Sequence, residues 1–342
     1  MKKLFAILLT LALLLPCAAA LAEDAPLKLG YIAPIDAEGG RYSLCADAFA
    51  YAAAQKGISV TTLRYDPSDG NVPADADGEN RPEPAVAALM SLIEDGVNGV
   101  ALAATSLDQA QLVIDLAEES GVAIVVEGLD ISSAYPAERY EVRPYVASIG
   151  YGDAPAYIAA KWLENAADNP VLFHCALPVS DPAIQSGLKR ALRDGRYLEL
   201  AEDEVDARAN TAAAGSEAVN MMISSFTIFG CVLADSEALA QGCAEALRRS
   251  GESMPVAAIA SSPEALDLLK RGSINMLAAA PASVEGVETF KVLHNYLTDG
   301  ILPETAFIQL PAITATAKDS SSWISDNDFE TAYALSYPEA DE

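Results

Sequence analysis

Residues 92–128 read LIEDGVNGVALAATSLDQAQLVIDLAEESGVAIVVEG, and this stretch decides the fold class. After Gly96 comes the short apolar run 99–103, bounded on both sides by turn residues, which is the signature of a strand. Ser106 with Gln109 three residues later then reads as a capping box, because the serine hydroxyl can accept a first-turn N–H and the glutamine can reach back. The helix this predicts ends at Gly121, a residue suited to the left-handed turn that closes a helix. Residues 122–126, VAIVV, are apolar at every position, so the strand they form must be covered on both faces. That is the condition of a parallel sheet between layers of helices.

The same rhythm extends in both directions. Upstream, LKLGYIAP (27–34) predicts a strand, 35–39 a loop, and Leu44, Ala48 and Ala52 at spacing four a helix reaching Lys56 and closed by Gly57. A strand over 58–63 and a helix over 83–95 complete the approach to the opening stretch. Downstream, strands are expected at 147–149, 171–176, 197–200, 230–234, 256–260 and 275–279. Helices are expected between them at 154–166, 182–193, 215–225, 236–250 and 263–270, with a last one over 283–297 stopped by Gly300. Ser262-Pro263-Glu264 opens one of these with a cap, a first-turn proline and an acid near the positive end of the helix dipole. Two successive blocks of alternating strands and helices predict an α/β architecture of doubly wound layers.

Composition narrows what such a chain can meet. It has 342 residues, 51% hydrophobic and 20% charged, with 21 Lys and Arg against 49 Asp and Glu and a net charge of -28. There is apolar material for a large core, and nowhere the concentration of cations that nucleic acid or an anionic membrane surface requires. Residues 1–22 run from Lys2 and Lys3 through an apolar stretch to Ala20-Leu21-Ala22, the order of a secretory signal cleaved after Ala22, which leaves a charge of -30. Pro16 and Leu15 precede Cys17 where a lipid-attachment motif would hold small residues, so an exported, unanchored chain is expected. Cys45, Cys175, Cys231 and Cys243 remain in apolar segments and read as buried thiols, with Cys175 and Cys231 the nearest to a disulfide on neighbouring strands.

Motifs for catalysis are missing. No nucleophile elbow, zinc-protease helix, phosphate loop or dinucleotide fingerprint occurs, and no Cys/His cluster has metal-ligand spacing. His174 lies within the apolar run 171–176 and reads as a hydrogen-bonded core residue, while His294 falls on a helix face. The acidic stretch 66–84 lacks the distal glutamate of a calcium loop and is broken by Pro73 and Pro82, so it reads as a solvated loop. No cofactor or metal is expected.

The segments quoted above, with FGCVLADSEALAQGCAEALRRSG (229–251), MPVAAIASSPEALDLLKRGSINMLAAAP (254–281) and EGVETFKVLHNYLTDGILPE (285–304), together resemble the type I periplasmic binding proteins, in the branch that binds sugars for ABC import. The resemblance covers about 27–318. It implies two doubly wound parallel-sheet lobes joined by a three-segment hinge, the first from 27–130 plus 281–309, the second from 131–280 plus 310–318, with 319–342 a weakly docked or frayed tail. It implies a monomer that closes on a small-molecule solute and meets an ABC transporter permease, and the missing DNA-binding helix pair sets the chain apart from the related repressors. Carried over position by position, the family's sugar contacts are mostly replaced. Its asparagine and aromatic pair after the first strand fall at Glu38, Gly40 and Arg41, beside Tyr42. Its aspartate and arginine at the first crossover fall at Gly128-Leu129, one step before Asp130, and its second-lobe arginine near Ile184, beside Gln185. A polar group is kept at Asp235, but Ala260 and Ala279 replace an aspartate and a glutamine. Arg41, Tyr42, Thr105, Asp130, Tyr151, Gln185 and Asp235 are therefore the expected rim of a rebuilt pocket, with Asp130 and Asp235 facing Arg41 and with Asp235 also suited to cap the helix at Ser236. Three uses follow: capture of a small solute for an ABC importer, a ligand-degenerate module coupled to a membrane sensor, or an exported enzyme on the same scaffold.

Overall fold

The computed structural model describes residues 26–36, 39–67, 82–135, 145–177, 182–202 and 207–338. The expected leader at 1–22, Glu38 and most of the 66–84 loop lie outside them. The first lobe contains β1 (Lys28–Pro34), α1 (Arg41–Gln55), β2 (Ser59–Tyr65), α2 (Pro84–Glu94), β3 (Gly99–Ala103), α3 (Leu107–Ser120), β4 (Ala123–Glu127) and β5 (Tyr145–Gly150). Along β4 the side chains alternate as an extended chain requires. Ala123 and Val125 enter the core under α1, whereas Ile124 and Val126 enter the core under α2 and α3.

The second lobe holds α4 (Ala154–Ala166), β6 (Val171–Cys175), α5 (Pro182–Asp194), β7 (Glu199–Leu200), α6 (Ala212–Ser224), β8 (Cys231–Ala234), α7 (Glu237–Ser250), β9 (Val256–Ile259), α8 (Pro263–Lys270) and β10 (Met276–Ala279). The chain then returns to the first lobe through α9 (Ala282–Asp299) and β11 (Phe307–Gln309), crosses again into β12 (Ile313–Thr316), and ends in α10 (Phe329–Ser336). The two sheets run β11-β5-β4-β3-β1-β2 and β12-β10-β9-β8-β6-β7. Every pairing is parallel except β12 against β10.

Three sequence expectations are corrected. The expected lobe boundary at 130/131 falls too early, because β5 pairs with β4 and β11 in the first sheet and the chain crosses only after Gly150. The strands carrying Cys175 and Cys231, the pair nearest to a disulfide, are neighbours as expected, but the two residues face opposite ways. Leu172, not Cys175, stands opposite Cys231, so the two thiols enter different cores on the two faces of the sheet, and all four described cysteines are free and buried.

The third correction concerns the tail. Residues 329–336 form a helix docked on the first lobe, with Ala332 fully buried and Tyr51 placing its ring 6.1 Å from Phe329 and 6.2 Å from Tyr333. On its way there the chain straps the hinge. Trp323 packs on the second-lobe core, and Asp326 accepts hydrogen bonds from the Ser261 hydroxyl (2.7 Å) and the Ala282 N–H at the start of α9 (2.9 Å). Pro281, the residue before that helix, offers no side-chain cap, so Asp326 supplies one from a distant part of the chain. Replacing Asp326 with alanine is expected to cost about 1–2 kcal/mol, the loss of a cap with a buried donor left unpaired, measured by urea unfolding. An unchanged midpoint would show that the strap carries no load.

Candidate functional site

The crossings between lobes converge at the carboxyl ends of both sheets. Tyr151 follows β5 and donates its hydroxyl proton to the Pro281 carbonyl of the second crossing (3.2 Å). Gln309 at the third crossing donates to the Tyr151 carbonyl (3.3 Å) and to Asp153 (3.2 Å). Between the lobes lies a cavity of about 180 Å³. Arg41, Gly128 and Glu285 line it from the first lobe, Tyr151, Gly152 and Ala280 from the crossings, and Pro155, Ala156, Ala183, Ile184 and Ile259 from the second lobe. Open α/β sheets place ligands at this position, outside the carboxyl ends of their strands. A larger groove of about 710 Å³ lies wholly on the second lobe, where Asn169, Gly230, Pro255 and Asn275 precede the strands at their amino ends. Its volume alone does not outweigh its position away from both the hinge and the first lobe.

Arg41 and Glu285 come from the first turns of α1 and α9. The arginine donates through Nη1 to the Ala280 carbonyl (2.8 Å) and through Nη2 to Glu285 Oε2. Its side chain is 43% exposed, whereas that of Glu285 is 1% exposed. Glu285 Oε1 has no hydrogen-bond partner among the described residues. It lies over the backbone of Gly150 and Gly128, where a Cβ on Gly150 would come within 3.2 Å of it.

Beneath this pair, Glu127 at the end of β4 is buried and accepts the Tyr31 hydroxyl proton at 2.5 Å. Burial raises the Glu127 pKa above the usual 4.5, and this outweighs the hydrogen bonds and the Arg41 charge that favour the anion. The folded protein therefore holds this proton at pH values where the unfolded chain has released it. Stability must fall as pH rises from the ordinary carboxylate range through the raised value, by at most about 1.4 kcal/mol per pH unit. Glu127→Gln is expected to remove that slope from a series of urea titrations across pH. Parallel curves for the two proteins would contradict the assignment.

The sequence-expected rim separates here. Arg41 and Tyr151 line the cavity, and Tyr42, Thr105, Asp130, Gln185 and Asp235 do not. Thr105 is held in a network in which its N–H (2.9 Å) and the Tyr65 hydroxyl (2.8 Å) both donate to Gln109 Oε1. Burial pushes the Tyr65 hydroxyl up to about 12, keeping it a donor. The expected capping box is thus half formed: Ser106 caps α3, but the Gln109 amide turns to Glu83 at 2.7 Å. Asp130 is exposed and accepts the Ser132 N–H in a local turn (2.9 Å). Asp235 caps nothing either. Ser236 takes the cap of α7, and Asp235 bonds His174 Nε2 (2.6 Å) and the Leu177 N–H (3.0 Å) across the ends of β8 and β6. The acid that meets Arg41 is Glu285, which sequence reasoning missed, although it shares the helix stripe of the buried Ala282, Gly286, Thr289 and Phe290. Among the described residues no cluster of potential metal ligands occurs, and no helix is long and apolar enough to cross a membrane.

By sequence the chain matches no family model and no curated protein. Its structure is similar to that of a periplasmic ribose ABC transporter protein of Conexibacter woesei, at 14% identity and a TM-score of 0.67, over 86% of this chain and 93% of that one. It is similar to an ABC transporter solute-binding protein of Burkholderia graminis solved with D-arabinose, at 16% identity and 0.66, over 88% and 99%. A chain of Bacteroides fragilis assigned to the LacI transcriptional regulators aligns at 16% and 0.63, over 86% and 98%. Sheet order, crossings and these alignments agree that the chain has the two-lobed α/β fold of the type I periplasmic binding proteins.

Proposed function

We propose that the chain is an exported binding protein that captures a small polar solute between its lobes and delivers it to the permease of an ABC importer, acting as a monomer in the periplasm or at the cell surface. The carrying observation is the cavity at the hinge, built from both lobes and holding a half-exposed arginine against a buried glutamate. A fold shared by binders and regulators does not choose among functions, so the cleft bears the argument. Binding is preferred to catalysis because the lining contains no histidine, cysteine or serine. The exported address rests on the leader at 1–22.

A thermal-shift screen of sugars, polyols, amino acids and nucleosides tests the reading. A captured solute at 100 times its dissociation constant adds about 2.7 kcal/mol of stability. No stabilisation by any of them counts against capture. One observation favours the second reading, a sensory module whose cleft no longer binds: Arg41 and Tyr151 are already engaged internally, and about 180 Å³ is below the ~300 Å³ at which drug-sized pockets begin. A permease and ATPase encoded beside the chain support transport, and a histidine kinase there supports sensing.

A further inference from the structure

We infer that the solute is a small aliphatic α-amino acid, an assignment that rests on the capture reading above and narrows it. The two ends of the cavity differ in chemistry. At the first-lobe end stand one cation and one anion, each with bonding capacity to spare. Glu285 lines the cavity, and its buried Oε1 lacks a donor among the described residues. Arg41 carries five N–H donors, of which the Ala280 carbonyl and Glu285 take two. A group that completes both must offer a donor and an acceptor side by side.

Charge selects among such groups. The Arg41 and Glu285 pair is neutral overall, so a zwitterion enters without adding net charge: its ammonium donates to Glu285 Oε1 and its carboxylate accepts from the free edge of Arg41. A simple carboxylate would bring an anion to the unpartnered glutamate oxygen, and a simple amine would bring a cation to the arginine. At the other end the lining side chains are apolar. Pro155, Ala156, Ala183, Ile184 and Ile259 present side chains with no polar atom and no aromatic ring. A sugar turned toward this wall would meet no side-chain hydrogen-bonding group to replace the water its hydroxyls lose. An aliphatic side chain fits there, and about 180 Å³ restricts it to a small one.

The test is calorimetric titration of the full chain, freed of bound solute by unfolding and refolding. The probes are glycine, alanine, valine and leucine, then isobutylamine and isobutyrate, then ribose and myo-inositol. The expected result is binding of at least one amino acid, with the amine and the acid each at least tenfold weaker. Tighter binding of ribose or myo-inositol than of any amino acid overturns the assignment and leaves capture standing, whereas binding by none of the probes counts against capture itself and removes the assignment with it. Glu285→Gln is expected to abolish amino-acid binding. Because that variant alters a buried group, Ile184→Ser on the half-buried face of α5 provides a second reading. It should weaken valine by about fourfold for each methylene that loses contact while leaving glycine unchanged. Equal weakening of glycine and valine overturns the apolar wall as the selector.

Discussion

Arg41→Met lowers stability by about 2–4 kcal/mol at neutral pH, more than Glu285→Gln does, although the two residues form one ion pair. The asymmetry follows from burial. Glu285 is 1% exposed and has one oxygen on Arg41 and one without a partner, so removing the arginine strands a charge in the interior. Breaking a buried pair in this way costs about 3–5 kcal/mol, discounted here because the arginine side is 43% exposed and partly hydrated already. In Glu285→Gln the amide oxygen still accepts from Arg41, and the guanidinium can turn to water, so a loss of about 1 kcal/mol is expected. Urea unfolding at pH 7 separates the cases, and equal losses for both variants would contradict the geometry.

Gly286→Val is expected to be at least as damaging, at about 3 kcal/mol or more, and to disable the cleft as well. A Cβ at Gly286 would stand 2.2 Å from the Cys45 carbonyl oxygen and 2.8 Å from the Ala48 side chain, so α1 and α9 can approach as they do only without it. Overpacking of side chains costs about 1–3 kcal/mol, and here the obstruction is backbone, which cannot change rotamer. The same contact sets the site. Glu285 precedes Gly286, and Arg41 begins the helix on which Cys45 lies, so splaying the helices separates the ion pair. Unfolding curves check the first effect and solute titration the second. A valine variant of native stability that still binds would show that the helices do not fix the pair.

The local pattern made the strands and helix ends legible. Residues 122–126, VAIVV, gave a strand buried on both faces, and Ser106, Ser236 and Ser262 all cap the helices that follow them. What could not be read was the choice between partners at long range. Nothing in 145–150 says which sheet it joins, because among the described residues between β4 and β5 there is no helix, and the alternation that orders the rest is not seen there. At Asp235-Ser236 two polar residues compete for one cap. The shorter serine takes it, freeing the aspartate for a histidine 61 positions away. Glu285 stands in a first helical turn, where an acid suits the helix dipole, and only its position on the buried stripe separates it from Glu288. The tail looked frayed because its anchors, Tyr51 and Ser261, lie far upstream.

The central claim, that the hinge cavity holds a solute, is tested most directly by mass spectrometry of the small molecules released when the purified native chain is denatured. The account predicts one small zwitterionic molecule, close to one per chain, that is absent from Glu285→Gln prepared in the same way. Release of no small molecule from the native chain, or of the same molecule in equal amount from the variant, would contradict it.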